Sequence, residues 1–295
     1  MTIVIAGGSG FLGRKLTNLL EAAGHAVRIL TRRPTAGRDI NWNPDGTPGS
    51  LPRDLQGADV VVNLAGEGIA DRRWTSERKA ALRASRILST QTLVRAISQC
   101  TPPPAVFINA SAVGYYGPRG EQPIVESSEP GSDFLARLCV EWEEEARKAE
   151  SPATRLAIIR TGLPLDTTGG VLGRMLLPFK LGFGATLGSG DQFMPWIHAD
   201  DWAALLAWVI QNDRARGSVN ASAPMPVTNR DFTRTLGRVL RRPAILHAPA
   251  FALHAVLGEM ATMLTTGQRV LPAYAEQLGF RFTYRTLEPA LRSLL

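Results

Sequence analysis

The chain has 295 residues, of which 44% are hydrophobic and 20% charged, so it carries enough apolar material for a buried core and too much for global disorder. No apolar run approaches the roughly 20 residues of a membrane-spanning helix. Glycines interrupt the N-terminal apolar run by Gly7, too early for a signal peptide, and two cysteines without CxxC spacing suggest neither a disulfide framework nor a zinc site. A soluble, reduced, cytoplasmic protein is expected. The net charge of +7 sits in the C-terminal part, where residues 214–295 hold eleven arginines against Asp231, Glu259, Glu276 and Glu288. That excess reads as a solvated arginine-rich surface or as attraction for an anionic small molecule. No motif points to nucleic acid.

In chain order, Ile3–Ala6 predicts a first strand and Phe11–Ala23 a helix closed by Gly24. Ala26–Thr31 predicts the second strand and Asp39–Trp42 the third. "ADVVVNLAG" is apolar on both faces, as a central parallel strand covered by helices should be. A long helix follows over Thr75–Gln99, then the strand "AVFINASA", a helix over Ser132–Glu150 and the strand "TRLAIIRTG". This βαβ alternation predicts a doubly wound, Rossmann-type α/β parallel sheet. Beyond Gly162 the pattern changes. Residues 164–197 are rich in Gly and Pro, His198–Gln211 predicts a helix, Gly217–Ala221 a short strand, and the chain from 224 reads mostly helical. The expected organisation is a nucleotide-binding domain of residues 1–163 plus about 198–223. A smaller, mostly helical substrate domain would comprise 164–197 plus 224–295.

The glycines of the first turn carry the strongest motif. Gly8-x-Gly10-x-x-Gly13 and the overlapping Gly7-x-x-Gly10-x-x-Gly13 both follow a strand and open a helix, the context a dinucleotide site requires. Gly7, Gly8, Ser9, Gly10, Phe11, Leu12 and Gly13 would then let backbone N–H groups approach a pyrophosphate at a helix N-terminus. An NAD site ordinarily has an acidic residue at the end of the second strand. Here the chain reads Thr31-Arg32-Arg33, with no carboxylate before Asp39. Arg32 and Arg33 suit a 2′-phosphate, so NADP(H) is the expected cofactor.

"GGSGFLG", "NLAGE", "RRW", "SRILSTQTL", "NASAVGYYG", "GSDFLARLCVEWEEEA", "RTGLPL", "PWIHADDW" and "NASAPMPVTNRDF" occur in that order. Together they resemble the atypical, epimerase-like branch of the extended short-chain dehydrogenases/reductases. "LGEMATMLTTGQRVLPAYAEQLGFRF" resembles that branch's C-terminal extension. The resemblance covers nearly the whole chain and implies a Rossmann fold and NADP binding; it supplies no substrate.

The superfamily's Tyr-x-x-x-Lys pair is missing. The residues four positions after Tyr115, Tyr116, Tyr274 and Tyr284 are Arg119, Gly120, Leu278 and Glu288, and the matching helix has Phe134 and Leu138 in place of the pair. By resemblance, Ser111 at the end of the fifth strand and Tyr116 in "YYG" are the candidate catalytic or substrate-contacting hydroxyls. Cys139 and Glu143, one turn apart, are weaker candidates. Leu64, Ala65 and Gly66 should pass the adenine-side ribose. Arg86 should reach a phosphate or the nicotinamide ribose, and Thr161 should lie near the nicotinamide. His198 reads as part of a strand–helix junction in which Asp200 or Asp201 caps the helix. The expected function is an NADP(H)-binding oxidoreductase or epimerase-like enzyme acting on a small molecule, with a non-catalytic NADPH sensor or scaffold as the alternative. A nucleotide-sugar epimerase shares the fold but ordinarily needs the lost tyrosine. A homodimer is left open, and no membrane partner is expected.

Overall fold

The computed structural model describes residues 1–35 and 37–295. The first half runs β1 (Thr2–Ala6), α1 (Phe11–Ala22), β2 (Ala26–Thr31), β3 (Asp39–Asn41), α2 (Leu51–Leu55), β4 (Val60–Asn63), α3 (Ser76–Ile97), β5 (Val106–Ala112), β6 (Gly120–Ile124), α4 (Phe134–Arg147) and β7 (Arg155–Thr161). The second half runs β8 (Leu163–Leu165), α5 (Gly170–Lys180), β9 (Ala185–Leu187), β10 (Phe193–Met194), β11 (Trp196–His198), α6 (Ala199–Gln211), β12 (Gly217–Ala221), β13 (Val227–Thr228), α7 (Asn229–Leu240) and β14 (Leu246–Ala248). It closes with α8 (Ala250–Leu257), α9 (Thr262–Thr265), β15 (Gln268–Val270), α10 (Ala273–Gln277) and α11 (Leu287–Leu294).

Seven parallel strands form one sheet in the order β12-β7-β5-β4-β1-β2-β3. The fold is Rossmann-type α/β, with a largely helical C-terminal portion. The strands are apolar on both sides because both sides are covered. Ile3, Ile5, Val60, Val62 and Ile108 pack against Leu16 and Leu20 of α1 and Trp202 and Leu206 of α6. The alternate residues Val4, Ala6, Val61, Phe107 and Ile158 pack against Leu93 and Ile97 of α3 and Ala146 of α4. Strand order reverses beside β1, and open sheets of this kind bind ligands in the crevice at the C-terminal ends of such strands.

The long helices begin where capping side chains allow. Thr75 Oγ1 accepts from Arg78 N at 3.1 Å, and Asp133 Oδ1 accepts from Ala136 N at 2.8 Å. The Gly/Pro-rich stretch hides the helix α5. Leu172, Leu176 and Phe179 recur on its inner face, and Pro178 sits in its last turn. These residues join Phe232 and Leu236 of α7 and Leu291 of α11 in a separate apolar cluster. The C-terminal segment is also fastened to the sheet. β15 pairs with β6, Phe280 and Phe282 enter the sheet's own core, and both Asp201 oxygens accept from the backbone of Thr283 and Tyr284, at 2.9 and 2.8 Å. No helix among the described residues is long and apolar enough to cross a membrane.

Candidate functional site

The glycine turn is shaped by contacts that forbid side chains. Gly7 has φ +77°, and a Cβ there would lie 2.7 Å from Leu64 O. A Cβ on Gly13 would lie 2.2 Å from Gly7 O, and one on Gly8 2.4 Å from the Ile29 side chain. The turn is closed by Gly10 N donating to Gly7 O at 3.0 Å. Gly10 is the N-cap of α1 and has no side chain to satisfy the first-turn amides, which stay available at a positive helix end. Leu12 packs against the sheet core. Phe11 lies against Gly169, where a Cβ would come within 2.7 Å of its ring.

Beside this turn is a pocket of about 250 Å³ lined by Gly8, Ser9, Arg14, Thr31, Arg33, Arg38 and the carboxylate residue Asp39, among others. Arg14 donates to Ser9 O at 2.7 Å, and Arg38 pairs with Glu21. The Thr17 hydroxyl is buried and has no partner among the described residues. Arg32 faces away from the glycines and lines a second pocket, of about 470 Å³, with Trp42, Asn43 and Ser50. The arginine pair is therefore split, and Arg33 is the member beside the glycine turn. Arg14 and Arg38 escaped the sequence reading. The position of Arg14 directly after Gly13, one residue into the exposed side of the first helical turn, was the available signal.

The neighbouring strand ends are held by buried polar bonds. Asn63 donates to Asn109 Oδ1 at 2.7 Å and to Thr90 Oγ1 at 2.9 Å, and its Oδ1 accepts from Ala65 N at 3.1 Å. This fixes the path of Leu64-Ala65-Gly66 along the sheet edge. Thr161 Oγ1 accepts from Trp202 Nε1 at 3.1 Å, so its hydroxyl is already engaged from α6.

Next to it lies a dense buried network. Ser111 donates to Glu143 Oε1 at 2.7 Å, and Glu143 is 0% exposed. Arg160 grips the same carboxylate with two bonds of 2.8 Å, and Arg147 adds a third at 3.0 Å. Arg160 also donates to the Tyr116 hydroxyl at 2.9 Å, while that hydroxyl donates to Asn220 Oδ1 at 2.7 Å. The guanidinium lies 3.5 Å from the Tyr115 ring centroid. Tyr116 is 0% exposed, and burial pushes its phenol up to about 12. Burial likewise pushes the Cys139 thiol up to about 11, with the Glu143 charge adding to it. The Ser111 and Tyr116 side chains are both buried, and their hydroxyls bond within this network.

A model of the "NAD dependent epimerase/dehydratase family" matches residues 3–222. The chain belongs to that family. A second model, a domain of unknown function designated DUF1731, matches residues 248–294 of the C-terminal extension. The epimerase family protein Mb2239 of Mycobacterium bovis is 42% identical over 291 residues, covering 98% of this chain and 96% of the relative. The epimerase family protein SDR39U1 of Bos taurus is 40% identical over 300 residues, covering all of both chains. A crystal structure of human SDR39U1 (isoform 2) with NADPH superposes with a TM-score of 0.94 at 36% identity, covering 100% of this chain and 99% of that one. UDP-N-acetylglucosamine 4-epimerase from Bacillus cereus, TM-score 0.79 at 18% identity, shares the fold.

Helix α4 carries Phe134 and Leu138 at the positions that the sequence resemblance gives to the Tyr-x-x-x-Lys pair. Phe134 packs edge-on against Trp74 at 5.3 Å, with the Lys79 ammonium 5.0 Å from its ring centre. Leu138 is buried. Neither residue can exchange a proton. Arg86 donates to Leu82 O and Glu67 O, both at 3.0 Å. His198 is buried and stacks on Tyr284 at 4.0 Å. Its Nδ1 accepts from Asp200 N at 3.0 Å, so the histidine itself caps α6. Neither expected cap, Asp200 or Asp201, takes that role: Asp200 pairs with Lys15 at 2.6 Å, and Asp201 holds the C-terminal segment.

Proposed function

We propose that this chain binds NADP(H) and acts as an oxidoreductase- or epimerase-like enzyme on a small molecule held beside the dinucleotide. The observation that carries the reading is the glycine turn flanked by a guanidinium-lined pocket. The positions where a Cβ would collide and the uncapped first turn of α1 fit a phosphate-bearing ligand. Backbone N–H groups of residues 7–13 would hold the pyrophosphate. Arg33, with Arg14 and Arg38 beside it, would hold a 2′-phosphate; Asp39 lines the same pocket, its carboxylate accepting from Thr35 N at 2.7 Å. Leu64, Ala65 and Gly66 would carry the adenine-side ribose, and Thr161 would stand at the nicotinamide end. When bound, the nicotinamide supplies or accepts hydride. The smaller C-terminal portion would wall the substrate cleft, and the setting would be cytoplasmic, where both free thiols persist.

A second reading, an NADPH-binding sensor or scaffold without turnover, is favoured by one observation. The two hydroxyls best placed by family resemblance, on Ser111 and Tyr116, are committed to Glu143, Arg160 and Asn220. Calorimetric titration with NADPH and NADH tests the shared basis of both readings. NADPH should bind at least tenfold tighter, about 1.4 kcal/mol, and equal affinities would overturn the assignment. Steady oxidation of NADPH by a panel of small carbonyl compounds would then favour the enzyme over the sensor.

A further inference from the structure

Just past β4, Glu67 engages two guanidinium groups, its carboxylate taking Arg78 and its backbone carbonyl Arg86. Arg78 pairs with Glu67 and donates to Gly68 O at 2.7 Å. Its side chain is only 13% exposed, and its Nε is buried with no partner among the described residues. Arg86 makes its bonds to two backbone carbonyls and a distant Ser85 hydroxyl, and no carboxylate among the described residues bonds it. Its guanidinium stands 5.3 Å from the Trp142 ring centre, against the face of α4 that carries Cys139. Its alkyl chain runs beside Gly66, where a Cβ would lie 3.5 Å from Cγ. Burial pulls the Arg86 guanidinium below its usual value, and the nearby Arg78 charge pushes the same way.

A guanidinium carries five N–H donors. Holding two of them at one residue, partly desolvated and with a carboxylate paired to only one, is costly unless another anion completes the set. The site follows the C-terminal end of a central strand, where open α/β sheets take ligands. On the NADP(H) reading the dinucleotide's phosphates go to the glycine turn and Arg33, which leaves Arg86, expected from the sequence at a phosphate or the nicotinamide ribose, for another anion.

We propose that Arg78 and Arg86 form an oxyanion clamp, and that the small molecule bound beside the dinucleotide carries a carboxylate or phosphate group that docks on them. The clamp rests on the NADP(H) reading and narrows its substrate class to anions. Planar guanidinium forks match either group, and a neutral analogue would leave their donors unpaired.

The test is calorimetric titration of the NADPH-saturated protein with malonate and with inorganic phosphate at fixed ionic strength. Saturable binding of at least one anion is expected, with Arg86→Gln and Arg78→Gln each weakening it tenfold or more. Arg86→Lys, which keeps the charge without the fork, should fall between. Binding of malonate alone assigns a carboxylate, and binding of phosphate alone a phosphoryl group. NADPH affinity should stay within threefold in every variant. Absence of anion binding, equal binding in the glutamine variants, or a tenfold loss of NADPH affinity in Arg86→Gln would each overturn the clamp. If the wild type takes up no NADPH, the functional reading fails. The same anion titration without dinucleotide then still decides the clamp.

Discussion

Two regions of one sheet edge treat their polar groups in opposite ways. Around β1, α1 and β2, backbone amides, three arginines and Asp39 line an open pocket, and the first-turn amides of α1 have no side-chain cap. Around β5, β7 and α4, Ser111, Tyr116, Glu143, Arg160 and Asn220 are all buried and bond one another. Unspent donors at a sheet edge indicate a ligand, whereas a closed network indicates stability. Ser111, Tyr116 and Glu143 sit in the closed network, while the glycine turn and Arg33 stand at the open pocket.

The largest effect should come from breaking the closed region. Glu143→Ala leaves Arg160 buried without its carboxylate and should cost about 3–5 kcal/mol in denaturant unfolding. A loss under about 1 kcal/mol would mean that the network does not hold β5, β7 and α4 together. In the open region, Gly13→Val drives side-chain atoms into Gly7 O and Gly8 Cα. NADPH affinity should fall at least a hundredfold, about 2.8 kcal/mol, with circular dichroism checking that the fold survives. Unchanged affinity would remove the pyrophosphate from this turn.

Tyr116→Phe sharpens the comparison. It deletes a hydroxyl that serves Arg160 and Asn220, and should cost about 2 kcal/mol of stability. NADPH affinity should stay within twofold. A hundredfold drop in any measured turnover with stability intact would return the phenol to catalysis. The folded protein favours the neutral phenol, raising it from an ordinary value of about 10 to about 12. Its contribution is therefore complete below about pH 10 and is lost as pH rises through about 12. The difference in tyrosinate absorbance between wild type and Tyr116→Phe should accordingly appear only near that upper limit.

The fold was legible because its signals are local. Apolar strands alternate with capped helices, and the glycine turn lies within seven residues of sequence. Helix α5 was not legible, since Gly173 and Pro178 break its composition while Leu172, Leu176 and Phe179 keep its period. The glycine half of the site was readable for the same reason as the fold. The split between Arg32 and Arg33 was not, because adjacent side chains at a strand end leave on opposite sides and only the packing shows which side holds the pocket. The closed network was the least legible part. Tyr116 and Asn220 are 104 residues apart, and nothing local to "YYG" reveals that its phenol is occupied.

The central claim is that a 2′-phosphate docks on Arg33. The most direct measurement is a four-way titration of wild type and Arg33→Ala with NADPH and NADH. NADPH should lose about tenfold in the variant, about 1.4 kcal/mol, while NADH stays within twofold, so that the arginine and the 2′-phosphate are coupled. Equal losses for both dinucleotides, or none for either, would contradict the claim.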